Sequence, residues 1–146
     1  MNVILDTNVY VSYLLSRQGT GTIQRVVRAC FLAEEVRLIA PQEVLDELRD
    51  IALRSKLRDL ISTSVLDRLS AQLLLVAQVV PVVAKPTTYT SDQKDDYLVV
   101  QGILHHADYL VTGDLDLLIL GNVEALRIMS PAAFVDILAD AGLLES

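Results

Sequence analysis

Acidic side chains follow two apolar segments of the chain, each at the point where a predicted strand ends. Asp6 comes directly after Val3-Ile4-Leu5, and Asp114 comes shortly after Tyr109-Leu110-Val111, with Asp116 close behind it. Ligands of α/β sheets bind beyond the carboxyl ends of the strands. Each acid also has a structural alternative, because Asp6 could cap the following helix and Asp114 could belong to a Gly-Asp turn. Two carboxylates at two strand ends favour a chemical site at this edge of the sheet.

A third acid lies on the inward stripe of a helix predicted over residues 93–105. At helical spacing, that stripe consists of the apolar residues Val99, Val100, Ile103 and Ala107. Asp96 falls near the middle of the stripe and Asp95 at its edge. Burial of an unpaired carboxylate costs several kcal/mol, whereas the helix dipole offsets about 1 kcal/mol or less. Unless the helix frays and leaves Asp96 in solvent, a cation is required beside it.

A fourth acid, Glu47, lies in the helix predicted over residues 41–54. It is the acid closest to the apolar face of that helix, which comprises Val44, Leu45, Leu48, Ile51 and Ala52. The alternative is an ordinary solvated face, on which the acids of the helix pair with its arginines.

The predicted cluster offers only oxygen ligands. Its members are Asp6, Glu47, Asp96 and Asp114, with Asp95 and Asp116 nearby. Because Mg²⁺ and Mn²⁺ prefer carboxylate ligands, we expect the cluster to bind one or two such ions. We interpret His105 and His106 as residues at the end of a helix rather than as ligands, and Cys30 as a buried thiol.

The segments that must position these acids alternate between strand and helix. Apolar runs predict strands at residues 3–5, 36–40, 79–83 and 108–112, and the run at 126–129 allows a fifth. Helical spacing predicts helices at residues 8–15, 22–34, 41–54, 63–77, 93–105 and 131–141. This alternation predicts an α/β fold with a largely parallel central sheet of four or five strands.

The composition limits the class of protein. With 146 residues, of which 52% are hydrophobic, the chain is long enough for one domain with a sizeable core. Its net charge of −7 argues against a protein that grips nucleic acid by bulk electrostatics. One cysteine allows no internal disulfide, and neither a signal peptide nor a bilayer-spanning apolar run is visible. We therefore expect a soluble cytoplasmic protein with a single domain over residues 1–146.

The sequence resembles PIN-domain nucleases, in particular VapC-like toxin components of toxin–antitoxin systems. The segment from Val3 to Ser12 is similar to the opening motif of that family. Asp95-Asp96-Tyr97-Leu98 and the segment from Ala107 to Leu118 are similar to its closing motifs, in the same order and at matching spacing. The resemblance covers about residues 1–130, and it implies a three-layer α/β/α PIN-like fold.

The resemblance also implies a role for each matching residue. The four acidic positions of the family's catalytic site are matched by Asp6, Glu47, Asp96 and Asp114. The metal ligands would be Asp6, Asp96 and Asp114, with Asp116 as an accessory. The residues implied to support the site or contact substrate are Asn8, Ser12 and Thr112. The chain departs from many relatives at Gln101, where they have a small apolar residue, and this bears on local packing.

By the same resemblance, the expected activity is hydrolysis of phosphodiester bonds in single-stranded RNA. A carboxylate-bound Mg²⁺ or Mn²⁺ lowers the pKa of a bound water and screens the charge of the phosphate. The family implies a small antitoxin protein as partner and self-association into a homodimer or a higher homo-oligomer. If six acids form one cluster, the remaining charges nearly balance, so the acidity of the chain does not exclude a nucleic-acid substrate.

Two other functions remain open from the sequence. A haloacid-dehalogenase-type phosphatase also has an Asp after its first strand, but it needs a second Asp where this chain has Asn8. A catalytically silent PIN fold could instead bind RNA or act as a scaffold, which would best suit a chain that lacks the expected acids.

Overall fold

Strands and helices alternate along the part of the chain that the structure, a computed structural model, describes: residues 1–16, 21–54, 61–83 and 96–144. The strands are β1 (Asn2–Leu5), β2 (Arg37–Pro41), β3 (Gln78–Val80), β4 (Tyr109–Val111), β5 (Asn122–Val123) and β6 (Leu126–Met129). The helices are α1 (Thr7–Leu15), α2 (Thr22–Leu32), α3 (Gln42–Leu53), α4 (Thr63–Val76), α5 (Asp96–Leu104), α6 (Leu115–Leu118) and α7 (Pro131–Asp140). Within these residues, no helix is both long and apolar enough to cross a membrane.

The strands form one sheet in the order β3-β2-β1-β4-β6-β5. All neighbours pair in parallel except β5, which runs antiparallel to β6. The predicted α/β class is therefore confirmed, but the predicted number of four or five strands is wrong, because the sheet has six. The additional strand, β5, contains only two residues, which is too short to produce a recognisable apolar pattern.

The central strand β1 shows why the protein is layered. Val3, Ile4 and Leu5 are all buried, although successive side chains of a strand point to opposite faces of the sheet. Both faces must therefore be covered, as is usual for parallel sheets. Helix α2 packs against α1 and α7, and α3 packs against α1 and α4. This arrangement is the three-layer α/β/α fold that the family resemblance implied.

The order of the strands reverses between β1 and β4. The chain builds outward from β1 to β2 and β3, and then returns to add β4 on the opposite side of β1. In the register of this pair, Leu5 lies beside Val111, so the two strands end at the same level. Such a switch point is where open α/β sheets bind their ligands.

Helix α5 differs most from its predicted face. The predicted stripe included Val100 and Ile103, but both are only half-buried, and the buried side includes Leu98, Gln101 and Gly102 instead. Because the helix is apolar almost all round, its periodicity does not define which side faces the core. Because the polar Gln101 is buried, the buried face of α5 differs from the face that its apolar residues alone would predict.

Two predicted boundaries and one predicted thiol can be compared with the structure. Pro41, which we expected at the first helical position, is instead the last residue of β2, and α3 begins at Gln42. Ser130 accepts a hydrogen bond from the backbone N–H of Ala133 and caps α7 as predicted. Cys30 is a buried free cysteine, and burial raises the pKa of its thiol to about 12.

The end of α5 contains a histidine in a conformation that favours glycine. His106 has a φ of 56°. The backbone N–H of Ala107 donates to the carbonyl of Gly102, and that of His106 donates to the carbonyl of Ile103. This pair of bonds is a Schellman motif, in which the left-handed position usually holds glycine. The prediction that the two histidines follow a helix end is confirmed.

We expect His106→Gly to stabilise the fold by about 0.5–1 kcal/mol, because glycine adopts a positive φ without steric strain. The free energy of unfolding in urea measures the effect. His106→Ala is the matched control, since it removes the imidazole and keeps the strained Cβ. An equal gain from His106→Ala would show that the imidazole, and not the backbone conformation, is responsible.

Candidate active site

Asp6 and Thr112 lie side by side at the ends of the two central strands. The backbone N–H of Asp6 donates to the carbonyl of Val111, and Thr112 donates from its backbone to Met129. These bonds extend the sheet ladder by one residue past β1 and β4. The hydroxyl of Thr112 donates a 2.6 Å hydrogen bond to Oδ2 of Asp6. The register of the sheet thus places a carboxylate and a hydroxyl together at the switch point.

The Asp6 carboxyl is buried at a position that does not favour its charge. Asp6 is only 4% exposed to solvent. Although Asp6 precedes α1, its side chain makes no well-formed capping hydrogen bond, so capping alone does not explain its presence. Burial raises its pKa above the ordinary value, while the Thr112 hydroxyl and the backbone N–H groups of Asn8 and Thr7 lower it. A carboxylate kept here against desolvation is typical of a functional site.

Asp114 adds a second negative charge to the same place. Its backbone N–H donates to the Thr112 hydroxyl over 3.0 Å, which fixes the loop after β4. Its half-buried side chain accepts a hydrogen bond from the backbone N–H of Asp116 and caps α6. The charge of Asp114 raises the pKa of Asp6 further. Asp114 therefore has the structural role in a Gly-Asp turn that the sequence allowed, but its carboxylate still repels that of Asp6.

Glu47 reaches the cluster from α3. The hydroxyl of Thr7, at the start of α1, donates a 2.6 Å hydrogen bond to Oε2 of Glu47. Burial raises the pKa of Glu47, the hydroxyls of Thr7 and Tyr97 lower it, and the charges of Asp6 and Glu43 raise it. Three carboxylates from three elements, those of Asp6, Glu47 and Asp114, therefore belong to one network of repelling charges.

Two residues of this network escaped the sequence analysis. Thr7 is buried and holds Glu47. Tyr97, on α5, is 6% exposed, and its buried hydroxyl makes no well-formed hydrogen bond within the described part of the chain. The pKa of Tyr97 is raised first by burial and then by the charge of Glu47. Both residues directly follow a predicted site acid, Asp6 or Asp96, in the sequence, and this adjacency was the available signal.

The remaining predicted site residues lie in different surroundings. Asn8, Ser12 and Asp116 are exposed. Asp96 is the first residue of α5, directly before Tyr97, but its side chain lies outside the described part of the structure. Asp95 lies outside the described residues altogether. The structure thus brings together Asp6, Thr112, Glu47 and Asp114.

The chemistry of the cluster suits a hard divalent cation. Every side-chain ligand on offer is an oxygen, as Mg²⁺ and Mn²⁺ prefer. The largest influences on the pKa of Asp6 within the described part of the chain are burial, hydrogen bonds and the charge of Asp114, and none of them is a basic group. Among the described side chains, no three of the acids, histidines or cysteines are arranged to hold a metal ion by themselves. The described carboxylates therefore fit such an ion as an incomplete set of ligands, to which Asp96 is the predicted addition.

We expect Tyr97→Phe to slow the reaction of the site by roughly 10-fold without lowering thermal stability. The Tyr97 hydroxyl lowers the pKa of Glu47 and so acts as an outer partner of a site acid, and such partners typically contribute 10- to 100-fold. Thermal stability is retained because the fold loses no well-formed hydrogen bond with this hydroxyl in the described part of the chain. The measurements are turnover and melting temperature. Tyr109→Phe is a matched control, because Tyr109 packs against Phe134 with ring centroids 5.4 Å apart. Unchanged turnover in Tyr97→Phe would reduce Tyr97 to a packing residue.

Comparisons with known proteins concern the family and the fold. The model of a PIN-domain family matches residues 2–116. The structure of VapBC2 from Rickettsia felis bound to a DNA fragment from its promoter matches with a TM-score of 0.61 and 17% identity, covering 89% of this chain and 98% of that chain. The PIN domain endonuclease Utp24 matches with a TM-score of 0.55 and 18% identity, covering 88% and 84% respectively. At these identities the structural likeness concerns the fold alone. No curated protein matches the chain significantly.

Proposed function

The chain belongs to the PIN-domain family, and from this premise we propose that it is a metal-dependent ribonuclease that hydrolyses phosphodiester bonds of single-stranded RNA. The observation that carries the proposal is the buried Asp6 carboxyl. It is held by Thr112 and repelled by Asp114, and no basic group is among the largest influences on its pKa in the described residues. A site of repelling carboxylates is most simply completed by a divalent cation.

The residues of the chain divide into ligands and residues that hold them. Asp6, Asp96 and Asp114 would hold the ion, with Asp116 as an accessory, and we add Glu47 because its carboxylate belongs to the same network of repelling charges. Mg²⁺ or Mn²⁺, when bound, supplies charge to offset the phosphate and acidifies water. The hydroxyl of Thr112 keeps Asp6 oriented and that of Thr7 keeps Glu47 oriented, through hydrogen bonds of 2.6 Å each. A carboxylate such as Asp114 or Asp6 positions the water that attacks phosphorus in line with the leaving oxygen.

We further propose that the protein is the toxin of a type II toxin–antitoxin pair in the cytoplasm. The fold it shares with VapBC2 supports this role. The corresponding partners are a small antitoxin protein and a second copy of the chain, in a homodimer or a higher homo-oligomer. Asn8 and Ser12 lie on α1 and are exposed, and we propose that they support the site or contact substrate.

The test is cleavage of end-labelled single-stranded RNA by the purified protein in Mg²⁺, in Mn²⁺ and in EDTA. We expect metal-dependent cleavage that leaves 5′-phosphate and 3′-hydroxyl ends, and its loss in the double variant Asp6→Asn, Asp96→Asn. Undiminished cleavage by that variant would overturn the proposed site. Absence of cleavage together with RNA binding would favour the catalytically silent alternative.

The matched control is Asp136→Asn, which changes an exposed carboxylate on α7. Cleavage of RNA by this variant is expected to equal that of the unmodified protein.

A stable phosphoaspartate at Asp6 would instead indicate the phosphatase alternative. Exposed Asn8 stands where that class requires its second Asp, so we expect no phosphoaspartate.

A further inference from the structure

A buried glutamine links the two helices that carry Glu47 and Asp96. Gln101, on α5, is 0% exposed. Its Nε2 donates to Oε1 of Glu43 over 3.1 Å and to the backbone carbonyl of Pro81 over 2.6 Å. Its Oε1 is buried and has no hydrogen-bond partner in the described part of the chain. The amide therefore serves two acceptors on two other segments and leaves one of its own polar atoms unsatisfied.

The hydrogen bonds dictate the chemical type of both side chains. Glu43 accepts from Gln101 at Oε1 and from the backbone N–H of Val83 at Oε2, over 3.2 Å. Only a carboxylate of this length offers an acceptor at each position, because an amide would present a donor to one of the two donors. Gln101 must in turn donate twice from one nitrogen, which a carboxylate cannot do. Neither residue can replace the other.

Glu43 and Gln101 lie on the two helices that carry Glu47 and Asp96. Glu43 lies one helical turn before Glu47 on α3, and Gln101 lies on α5, which begins at Asp96. Pro81 and Val83 follow β3 directly. The three hydrogen bonds thus join α3, α5 and the segment after β3. Because both acids are on the same rigid helices as the pair, the separation of the helices controls the separation of the acids.

Stability alone does not account for this arrangement. A part-buried polar network that leaves the buried Oε1 of Gln101 unsatisfied is less favourable than apolar side chains of the same volume. Apolar residues on α3 and α5 could fill the same space. What apolar packing lacks is the directional constraint of three hydrogen bonds.

We propose that Glu43 and Gln101 are positioning residues, which fix α3 against α5 and so set the spacing between Glu47 and the start of α5, where Asp96 lies, for binding of one metal ion. The inference rests on the proposed function, because it assigns the pair to the same site. It concerns neither residue as a ligand. Both hold the site through the helices on which they lie, and the charge of Glu43 in addition raises the pKa of Glu47.

The test measures Mn²⁺ binding to the metal-free protein, by calorimetry or by the electron paramagnetic resonance signal of free Mn²⁺, alongside RNA cleavage. Gln101→Met and Glu43→Gln break the network from opposite sides. Each is expected to weaken Mn²⁺ binding by roughly 10-fold, at the lower end of the range for groups outside the ligand shell. The double variant is expected to lose no more than either single variant, because both remove one shared constraint.

The matched control is Gln24→Met. Gln24 is also buried and donates to a backbone carbonyl, that of Tyr13, over 3.1 Å. It joins α2 to Tyr13, which lies near the end of α1, whereas Asp6 and Thr7 lie at the start of that helix. Mn²⁺ binding and cleavage by this variant are expected to equal those of the unmodified protein, whatever its melting temperature.

Three results would overturn the inference: unchanged Mn²⁺ affinity in both single variants, additive losses in the double variant, or an equal loss in Gln24→Met. If Gln101→Met fails to fold, the Mn²⁺ affinity of Glu43→Gln still tests the inference, because this smaller change keeps the side-chain volume. Failure of the proposed function looks different, since the unmodified protein would then neither bind Mn²⁺ nor cleave RNA.

Discussion

Replacing Asp6 with asparagine is expected to abolish cleavage and, at the same time, to make the metal-free protein more resistant to heat. The two effects have one cause. The Asp6 carboxyl is buried and repelled by Asp114, so the fold bears a penalty when it is ionised. The same ionised group is the first predicted metal ligand. Asparagine removes the penalty and the ligand together.

The expected loss of activity is large. Removing a group that stabilises charge in the transition state costs about 3–4 kcal/mol, which corresponds to a roughly 100- to 1,000-fold slower reaction. Cleavage of labelled RNA at saturating Mg²⁺ measures it. The unmodified protein is expected to gain thermal stability when Mg²⁺ or Mn²⁺ is added, because the ion binds the folded state, whereas Asp6→Asn gains much less.

The direction of the pH effect follows from the raised pKa. The folded protein holds the Asp6 proton more tightly than the unfolded chain does, so stability falls as pH rises from the ordinary value of 3.8 through the raised value. Above that window the penalty is complete. The melting temperature of Asp6→Asn should therefore exceed that of the unmodified protein at neutral pH in EDTA, and the difference should shrink as pH falls toward 3.8.

Asp136→Asn is again the matched control, because it changes an exposed carboxylate on α7 and should alter neither melting temperature nor cleavage. A melting temperature of Asp6→Asn below that of the unmodified protein at neutral pH would mean that the carboxylate stabilises the fold. The role of Asp6 would then be structural, and the metal site would lose its principal support.

The sequence was sufficient to predict where the acids lie along the sheet. The positions of Asp6 and Asp114 depend only on short apolar runs and on the rule that parallel strands end at one edge. The register of β1 and β4 then places them together without further information. The faces of α3 were likewise predictable, because Val44, Leu45 and Leu48 alternate with polar residues at helical spacing and are all buried.

The remaining features depend on contacts between distant segments. The partners of Gln101 are Glu43, on another helix, and Pro81, after a strand, so nothing adjacent in the sequence identifies it as buried. From the sequence alone, a polar residue on an apolar helix is predicted to face solvent, because its hydrogen-bond acceptors are not visible. The same reason hid the hydroxyl of Thr7, whose acceptor Glu47 lies 40 residues away.

Thr112→Val is expected to shift the pH dependence of cleavage toward higher pH while the fold is retained. Thr112 is 0% exposed, and its hydroxyl both donates to Asp6 and accepts from the backbone N–H of Asp114. Valine has nearly the same shape but offers neither bond. Because the hydroxyl lowers the pKa of Asp6, its loss raises that pKa further. Metal binding requires the ionised carboxylate, so the variant needs a higher pH to bind the ion.

The rate of Thr112→Val should therefore fall most at the acidic end of the profile and recover as pH rises. At neutral pH we expect roughly a 10- to 100-fold loss, as for other groups that orient metal ligands. The measurements are kcat/KM and Mn²⁺ affinity across pH. Thr112→Ser keeps the hydroxyl and should retain the original profile. If serine and valine lower the rate equally and without a shift along the pH axis, the missing methyl packing is responsible, and the hydrogen bond to Asp6 does not tune the site.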